Sequence, residues 1–574
     1  MAIDMLNIHE SAVNSADSIL SNYKARRLSE RERNSIDSHS DCGWEIVTDL
    51  SINDENISIL LIVDEKYPYS RPQAYTKPML EMLKFPHVEE NGKLCIFESG
   101  YLYDPKDDYH IEETLHLAYG LVKRNLSTEG NKDFHDGFLS YWCRFANAND
   151  KSLSLCDLSN RRSRKICVVY NSYFGPTFHD NKVSLEQFLT NINANKHNIY
   201  ETALVFLKSP IVPSEYPNNI LELLSLPREH GLSDEDVYSA LSRGYKTTWG
   251  RSSILFVVPT EKGTCCAALT FYDKDKTVTH GYRKMPPANV FKARLASCKT
   301  IPTRTIRGDY NWMFGRDHNT SLKNIKSTNV VILGLGSVGS EVLLNLVKSG
   351  VERFTIIDGE KLTTENISRH VLGFTYFDRP KSKSLEHYIV SNYPHVTIKS
   401  HTDRWQYVDD IGIIFDNADL IISCSADWPS DKLLLDMLTN NDICCPVIFG
   451  FLEAYAAAAH AITIPAGYTG KLFLTDDGRI SEQVISWSKD TTRPLPMCGV
   501  GFQPYACTEL SYCNALISEM AISLITGENS PDKYAHKVWI HDYEKIAING
   551  GKINSPYAEL LTDNKSKGGI FEMS

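Results

Sequence analysis

The stretch Val330-Val331-Ile332-Leu333-Gly334-Leu335-Gly336-Ser337-Val338-Gly339 decides the fold of the C-terminal part of this chain. Four consecutive apolar residues fit a strand buried on both faces. The three glycines then let the backbone turn tightly and approach a phosphate at the amino end of the next helix, where Val342, Leu343, Leu346 and Val347 form an apolar face ending near Gly350. A second apolar run, Phe354-Thr355-Ile356-Ile357, leads into Asp358, which stands 19 positions after Gly339 and is placed to accept hydrogen bonds from ribose hydroxyls. These features predict a nucleotide-binding βαβ unit within a doubly wound parallel sheet. By themselves they leave open glycines that serve only close helix-to-strand packing, and they do not choose between a dinucleotide and ATP.

Around this unit the chain is long. Its 574 residues, at roughly 100 to 200 per domain, predict about three or four compact units. Sixty basic against 71 acidic residues give a net charge of −11 with 42% apolar content, the balance of a soluble globular protein. No long Lys/Arg block marks a phosphate-backbone partner, so nucleic acid is not expected. No apolar run approaches the roughly 18 to 20 residues that cross a bilayer, and Met1 to Arg27 lacks a signal-peptide core. No membrane partner is expected, and the expected location is cytoplasmic. The fourteen cysteines are scattered and include no Cys-x-x-Cys pair, so reduced thiols are expected and a four-cysteine structural zinc lacks its ligands. Most should be core residues, as with Cys424 after Leu420-Ile421-Ile422-Ser423, and Cys444-Cys445 before Pro446-Val447-Ile448.

Three segments differ in texture. Residues 1–155 open with a helix-period stretch carrying Leu20, Tyr23 and Leu28 and continue into the strand-like run Ile57 to Val63, an α+β module. A polar break at Asn147 to Ser152 and the basic run Arg161 to Lys165 precede a middle α/β segment, 156–305, in which no catalytic motif is legible. Residues 306–574 alternate strands and helices.

The residues after Asp358 choose the nucleotide. Asn366-Ile367-Ser368-Arg369-His370 and Arg379-Pro380-Lys381 resemble motifs of the ThiF and ubiquitin-activating (E1-type) adenylating enzymes. A triphosphate attacked at its α-phosphorus sheds pyrophosphate, and guanidinium and ammonium groups suit the charge that develops there. The resemblance implies ATP with Mg2+: Gly334, Gly336 and Gly339 as the cradle, Asp358 on the ribose, and Asn366, Arg369 and Lys381 on ribose and phosphates. Asp427, in Ser425-Ala426-Asp427-Trp428, resembles the magnesium-holding aspartate but lacks the usual Asp-Asn pair, and a helix N-cap is the alternative. The segment Arg307 to Arg316 resembles the family's arginine-bearing helix, from which Arg307 or Arg316 could reach an ATP site in a second unit; a solvated helix charge is the alternative.

Activating enzymes that go beyond adenylation need a thiol. Cys498, in Pro496-Met497-Cys498-Gly499, resembles the Cys-Gly loops of that family, and Cys507 at the start of the next helix is the alternative, its thiolate favoured by the helix dipole. Cys513 belongs to the stripe Leu510, Cys513, Ile517, Met520, Leu524 and should face the core.

The N-terminal module offers a second thiol. Tyr67-Pro68 to Tyr75, then Phe85-Pro86-His87-Val88 and Asn91-Gly92-Lys93-Leu94-Cys95, resemble a ubiquitin-conjugating (E2-type) core. His87 stands eight residues before Cys95, where those enzymes carry asparagine, and Gly92 stands three before it. Either side chain can donate a hydrogen bond to the oxyanion formed when an amine attacks a thioester. Tyr103-Asp104-Pro105 resembles the aromatic-x-Pro stretch that comes after the cysteine, and Asp104, Asp107 and Asp108 could attract a lysine or simply be solvated.

Over nearly its whole length the chain is similar to the E2–E1 fusion proteins of bacterial CBASS anti-phage operons. That resemblance implies adenylation of a carboxylate, a thioester relay from Cys498 to Cys95, and transfer to a lysine. It also implies a cGAS-like nucleotidyltransferase C-terminus as donor, an inactive adenylation-like domain in 156–305 and a homodimer. A related fusion that carries a ubiquitin-like modifier is the alternative. An NAD-dependent oxidoreductase has no use for Asn366, Arg369, Lys381 and Cys95, and a scaffold with dead sites has no reason to keep them.

Overall fold

The computed structural model describes residues 5–97, 100–127, 130–146, 151–171, 173–194, 198–247, 250–273, 277–283, 286–475, 477–496, 501–555, 557–560 and 569–573. The chain divides into two compact units, one of Met1–Lys182 with Asn198–Asp309 and one of Val183–His197 with Tyr310–Ser574.

In the first unit a four-stranded antiparallel sheet runs in the order Arg26–Arg27, Ser40–Ile52, Glu55–Asp64, Gln73–Lys77. Asn53 and Asp54, with φ of 51° and 66°, form the two-residue turn that suits a twisted hairpin. The central strand is buried on both faces. Ile57, Ile59, Leu61 and Val63 pack with Ala12, Ala16 and Leu20 of the helix Met5–Ser21 and with Ile111, Leu115 and Val122 of the helix His110–Asn125. Leu60 and Ile62 pack with Tyr75 on the other side. The first helix ends earlier than its sequence period suggested: beyond Ser21, Tyr23 lies in a turn that puts Lys24 at φ 55°, and Leu28 comes after it.

Residues 151–307 supply seven strands that close into a barrel in the order Gly263–Tyr272, Lys299–Arg307, Lys151–Ser154, Gly175–His179, Arg164–Asn171, Ile199–Phe206, Arg251–Thr260. This corrects two expectations. The boundary near 155 falls earlier, because Lys151–Ser154 is itself a barrel strand pairing with Lys299–Arg307. A closed barrel is also not the open, doubly wound sheet that an adenylation-like layout of 156–305 requires. The helix Phe138–Phe145 buries Phe138 and Trp142 in an apolar cluster that one face of the barrel strands shares with the surrounding helices, and the Trp142 indole donates to the Thr303 carbonyl at 3.0 Å.

The second unit is built on an eight-stranded sheet in the order Thr397–His401, Arg353–Ile357, Asn329–Leu333, Leu420–Ser423, Val447–Leu452, Ala458–Ile464, Ala535–Ile540, Gly569–Met573. The first five are parallel and the last three antiparallel. Val330 and Ile332 face one apolar cluster and Val331 and Leu333 the other, which is why the opening strand reads as an unbroken apolar run. The strands step away on one side of that strand to Arg353–Ile357 and on the other to Leu420–Ser423, so the strand order reverses there, and a crevice at such a switch point is where doubly wound sheets bind ligands. The stretch 183–197 belongs to this unit through Asn191, whose side chain donates to the Pro394 carbonyl at 3.0 Å. Among the described residues no helix is long and apolar enough to cross a membrane.

Candidate functional site

At the carboxyl end of Asn329–Leu333 the glycines do three different things. Gly334 takes φ 82°, open to glycine without strain, and a Cβ there would press on the Ser425 backbone at 2.6 Å. A Cβ on Gly339 would overlap the Gly334 carbonyl, so the helix Gly339–Lys348 can begin this close to the strand only with glycine at its first position. A Cβ on Gly336 would meet nothing within 4 Å. The middle glycine therefore faces open space, where a phosphate can approach the backbone.

Asp358 comes directly after the neighbouring strand and is 9% exposed. Its carboxylate accepts from the Leu335 amide at 2.6 Å and the Glu360 amide at 2.7 Å. Burial pushes its pKa up while these two amides oppose the rise. Two backbone bonds leave lone pairs for ribose hydroxyls.

His370 is the residue here to which sequence reasoning gave no role. Its Nδ1 accepts from the Leu372 amide at 3.0 Å, so its Nε2 carries the proton that is donated to the Leu335 carbonyl at 2.8 Å. Burial lowers its pKa to about 4, keeping it neutral. Leu335 is thus held on its amide by Asp358 and on its carbonyl by His370, which fixes the glycine turn from both sides.

The predicted cationic groups lie around this turn. Lys381 opens the helix Lys381–Asn392, is buried, and pairs with Glu360 at 2.6 Å. Its neighbour Ser382 donates to the Asp358 carbonyl at 3.2 Å. The Arg369 guanidinium stacks 4.4 Å over the ring of Tyr505, whose hydroxyl is 3.3 Å from the Ser337 hydroxyl of the glycine turn. Asn366 turns onto its own loop, its side-chain oxygen accepting from the Thr363 amide and hydroxyl at 3.1 Å.

Asp427 stands at the N-cap position of the helix Trp428–Thr439, yet its side chain makes no capping bond and lies 3.7 Å from Arg404. Ser425, which packs against Gly334, donates to the buried Asp431 at 3.2 Å, and Ser423 does so at 2.6 Å. Burial pushes Asp431 up to about 6. Ala426 between them takes φ 49°, a left-handed value costly for a residue with a Cβ and concentrated at functional turns. A partly exposed carboxylate at the carboxyl end of a strand beside the glycine turn fits a hard cation held with phosphate oxygens.

Arg307 is a correction. It is buried in the first unit, forms two 2.8 Å bonds to the Asp309 carboxylate and donates to the Thr264 carbonyl at 2.8 Å, so it is structural rather than a hand reaching to ATP. Arg316 is exposed just beyond the helix Tyr310–Gly315 and donates to the Met313 carbonyl of that helix at 2.9 Å. Cys513 is buried with its pKa raised to about 12, while Cys507 is exposed at the first position of the helix Cys507–Thr526. Cys498 lies outside the described residues.

In the first unit Cys95 is exposed, and its amide donates to the His87 carbonyl at 2.8 Å. His87 takes φ 57°, and its own amide donates to the Tyr141 hydroxyl at 2.9 Å. Its Nε2 lies 3.5 Å from Asp133, and burial lowers its pKa against the pull of that carboxylate. Asp133 and Tyr141 were not legible in the sequence because they come from helices beyond the expected core. Gly92 holds φ 80° in the turn between His87 and Cys95. Tyr103 joins Phe97 and Tyr101 around the Arg71 guanidinium, each ring 5.2 to 5.4 Å from it. Asp104 and Asp107 accept from the amides of Lys106 and Tyr109 at 3.0 Å, which structures their own loop.

Residues 310–556 match the ThiF family and residues 23–151 match prokaryotic E2 family B. The chain is a fusion of an E2-type and a ThiF-family domain. The domain types and their order are those of the E2–E1 fusions that the sequence resembled, and the mixed α/β, multidomain fold class is borne out. The fusion is similar to the ATP-dependent ubiquitin transferase-like protein Cap2 of Enterobacter hormaechei, at 27% identity over 150 residues, covering 24% of this chain and 25% of the relative. It is also similar to the adenylyltransferase and sulfurtransferase UBA4 of Candida albicans, at 30% identity over 121 residues, covering 21% and 26%. The fusion thus spans about a quarter of the length of these curated relatives. Among solved structures, E. coli MccB with AMPCPP and selenomethionine MccA matches at TM-score 0.28 and 16% identity, covering 38% of the fusion and 62% of MccB.

Proposed function

We propose that this protein activates a protein C-terminal carboxylate with ATP and passes it through two thioesters to a lysine amine. The observation that carries the reading is the glycine turn whose middle glycine faces open space while Asp358 and His370 fix Leu335 on either side. In this reading the Gly336 backbone receives the triphosphate, Asp358 holds the ribose with Asn366 nearby, and Arg369 and Lys381 hold the phosphates. Asp427 would hold Mg2+, which when bound screens the triphosphate charge. The donor carboxylate attacks the α-phosphorus and pyrophosphate leaves. The Cys498 thiolate then displaces AMP, the Cys95 thiolate displaces Cys498, and the lysine amine displaces Cys95, losing a proton as the amide forms. In this reading His87 serves that last step, its ring donating to the oxyanion.

The donor class we favour is the C-terminus of a cGAS-like nucleotidyltransferase, within anti-phage defence in the cytoplasm, with the enzyme acting as a homodimer. What supports this is the order of the two domain types together with the similarity to Cap2. The test mixes the full chain with Mg-ATP and a lysate of its native host, and compares reducing with non-reducing gels for wild type, Cys95→Ala and Cys498→Ala, with mass spectrometry of the adducts. A thiol-sensitive, ATP-dependent adduct lost in both variants is expected, and its mass names the donor. With folding and donor supply verified, no such adduct on any form overturns the relay.

A further inference from the structure

We propose that Tyr505 is a positioning residue of the nucleotide site, holding Arg369 for the outer phosphates of ATP. The inference rests on the adenylation reading and adds to it a residue that belongs to none of the motifs around Asp358. The sequence places Tyr505 in a short connection two residues before the helix Cys507–Thr526. The fold brings it back to the glycine turn.

Two independent contacts define its place. The ring lies 4.4 Å beneath the Arg369 guanidinium, and the hydroxyl lies 3.3 Å from the Ser337 hydroxyl. A guanidinium stacked on an aromatic face keeps its in-plane N–H donors free, and those donors match phosphate oxygens in pairs. Stacking therefore orients Arg369 without consuming the groups that would bind the ligand. The hydroxyl contact registers the ring against the turn that Gly334, Gly336 and Gly339 shape. One side chain thus fixes the distance between the phosphate cradle and the arginine beside it.

Tyr505 also follows closely on a short strand pair. Arg493–Pro494 pairs with Gly501–Phe502, and the Gln503 side chain donates to the Thr491 hydroxyl at 3.0 Å. Residues 495–500, with Cys498 among them, connect those two strands. The strand that returns from this connection leads within three residues to Tyr505.

The test measures binding of Mg-ATP and of AMP to the full chain by calorimetry, with no acyl donor present. AMP lacks the outer phosphates and so reports the ribose and base contacts alone. Tyr505→Leu should weaken Mg-ATP about tenfold and leave AMP within about twofold, in line with the loss of a cation–π contact. Tyr505→Phe, which keeps the ring, should stay within about threefold for both. In an Arg369→Gln background, Tyr505→Leu should cost nothing further, because the group it positions is gone. Unchanged Mg-ATP affinity in Tyr505→Leu overturns the proposal. So does an equal fall for both nucleotides, which would mark a packing role, and so does full additivity with Arg369→Gln. If Tyr505→Leu fails to fold, a Tyr505→Phe variant that loses Mg-ATP affinity as strongly as Arg369→Gln also overturns it. A wild-type chain that binds neither nucleotide is a different failure, since it removes the adenylation reading itself.

Discussion

Lys381 and Glu360 form an unequal pair: the lysine side chain is 4% exposed, the glutamate side chain 77%, and their charged atoms are 2.6 Å apart. A buried ammonium needs a counter-charge, and this one reaches in from the solvent edge. In our reading the outer phosphates of ATP replace Glu360 as the lysine's partner. Glu360→Gln should therefore lower stability by about 2 kcal/mol without nucleotide, and saturating Mg-ATP should shrink that difference in melting experiments. Lys381→Ala should cut ATP–pyrophosphate exchange at least about a hundredfold.

The glycines of the turn should separate folding from binding. Gly339→Ala forces a Cβ onto the Gly334 carbonyl and should cost about 3 kcal/mol or prevent folding. Gly336→Ala meets no protein atom within 4 Å and should leave the unfolding transition in place while weakening Mg-ATP binding. Denaturant curves and calorimetry on the two variants check this pair of outcomes.

His370 should make stability acid-sensitive. Its folded pKa of about 4 lies below the roughly 6.5 of an unfolded histidine, so the unfolded chain binds the proton first. Its contribution is present above pH 6.5 and is lost as pH falls towards 4, a loss of about 2 kcal/mol between pH 7.5 and 5. Urea unfolding of wild type and His370→Asn at the two pH values should show that part of the loss disappearing in the variant.

At the E2-type thiol, substitution of His87 should affect transfer rather than loading. The backbone there is left-handed, which asparagine tolerates better than most residues, and the family asparagine offers an equivalent donor. His87→Asn should keep aminolysis of the Cys95 thioester within about tenfold, and His87→Ala should lose about a hundredfold or more, both with normal thioester formation. Single-turnover chase of the loaded enzyme with free lysine measures this.

The thiols of the last long helix give a simpler check. Iodoacetamide should label exposed Cys507 in the native protein and spare Cys513, whose thiol is buried and pushed up to about 12. Peptide mapping reads both positions in one experiment.

The nucleotide half of this protein was readable because its determinants are local. An apolar run, three glycines and an aspartate within 29 residues specify strand, turn, helix and strand in order. Arg307 misled because its pairing is invisible to a motif: Asp309 lies in the same segment, but only the fold shows that it takes both ends of the guanidinium, and the Thr264 carbonyl comes from another barrel strand. Tyr505 escaped for the same reason, since Ser337 lies 168 residues before it. The barrel was hidden because its closing pair joins Lys151–Ser154 to Lys299–Arg307, a parallel pairing that no local period announces. Asp133 and Tyr141 are legible only once the helices after residue 130 are seen folding back to His87.

The bond from the Trp142 indole to Thr303, with Phe138 and Trp142 seated among barrel residues such as Phe256, bears on how this protein can be taken apart. A gene fragment ending near residue 155 removes the barrel but keeps the helix that packs on it, and so displays a band of bare aromatic rings. Such a fragment should clump, or scavenge other greasy surfaces, rather than act as a free-standing transferase. In its present form this E2-type module has to carry its neighbour along when it is moved as a cassette.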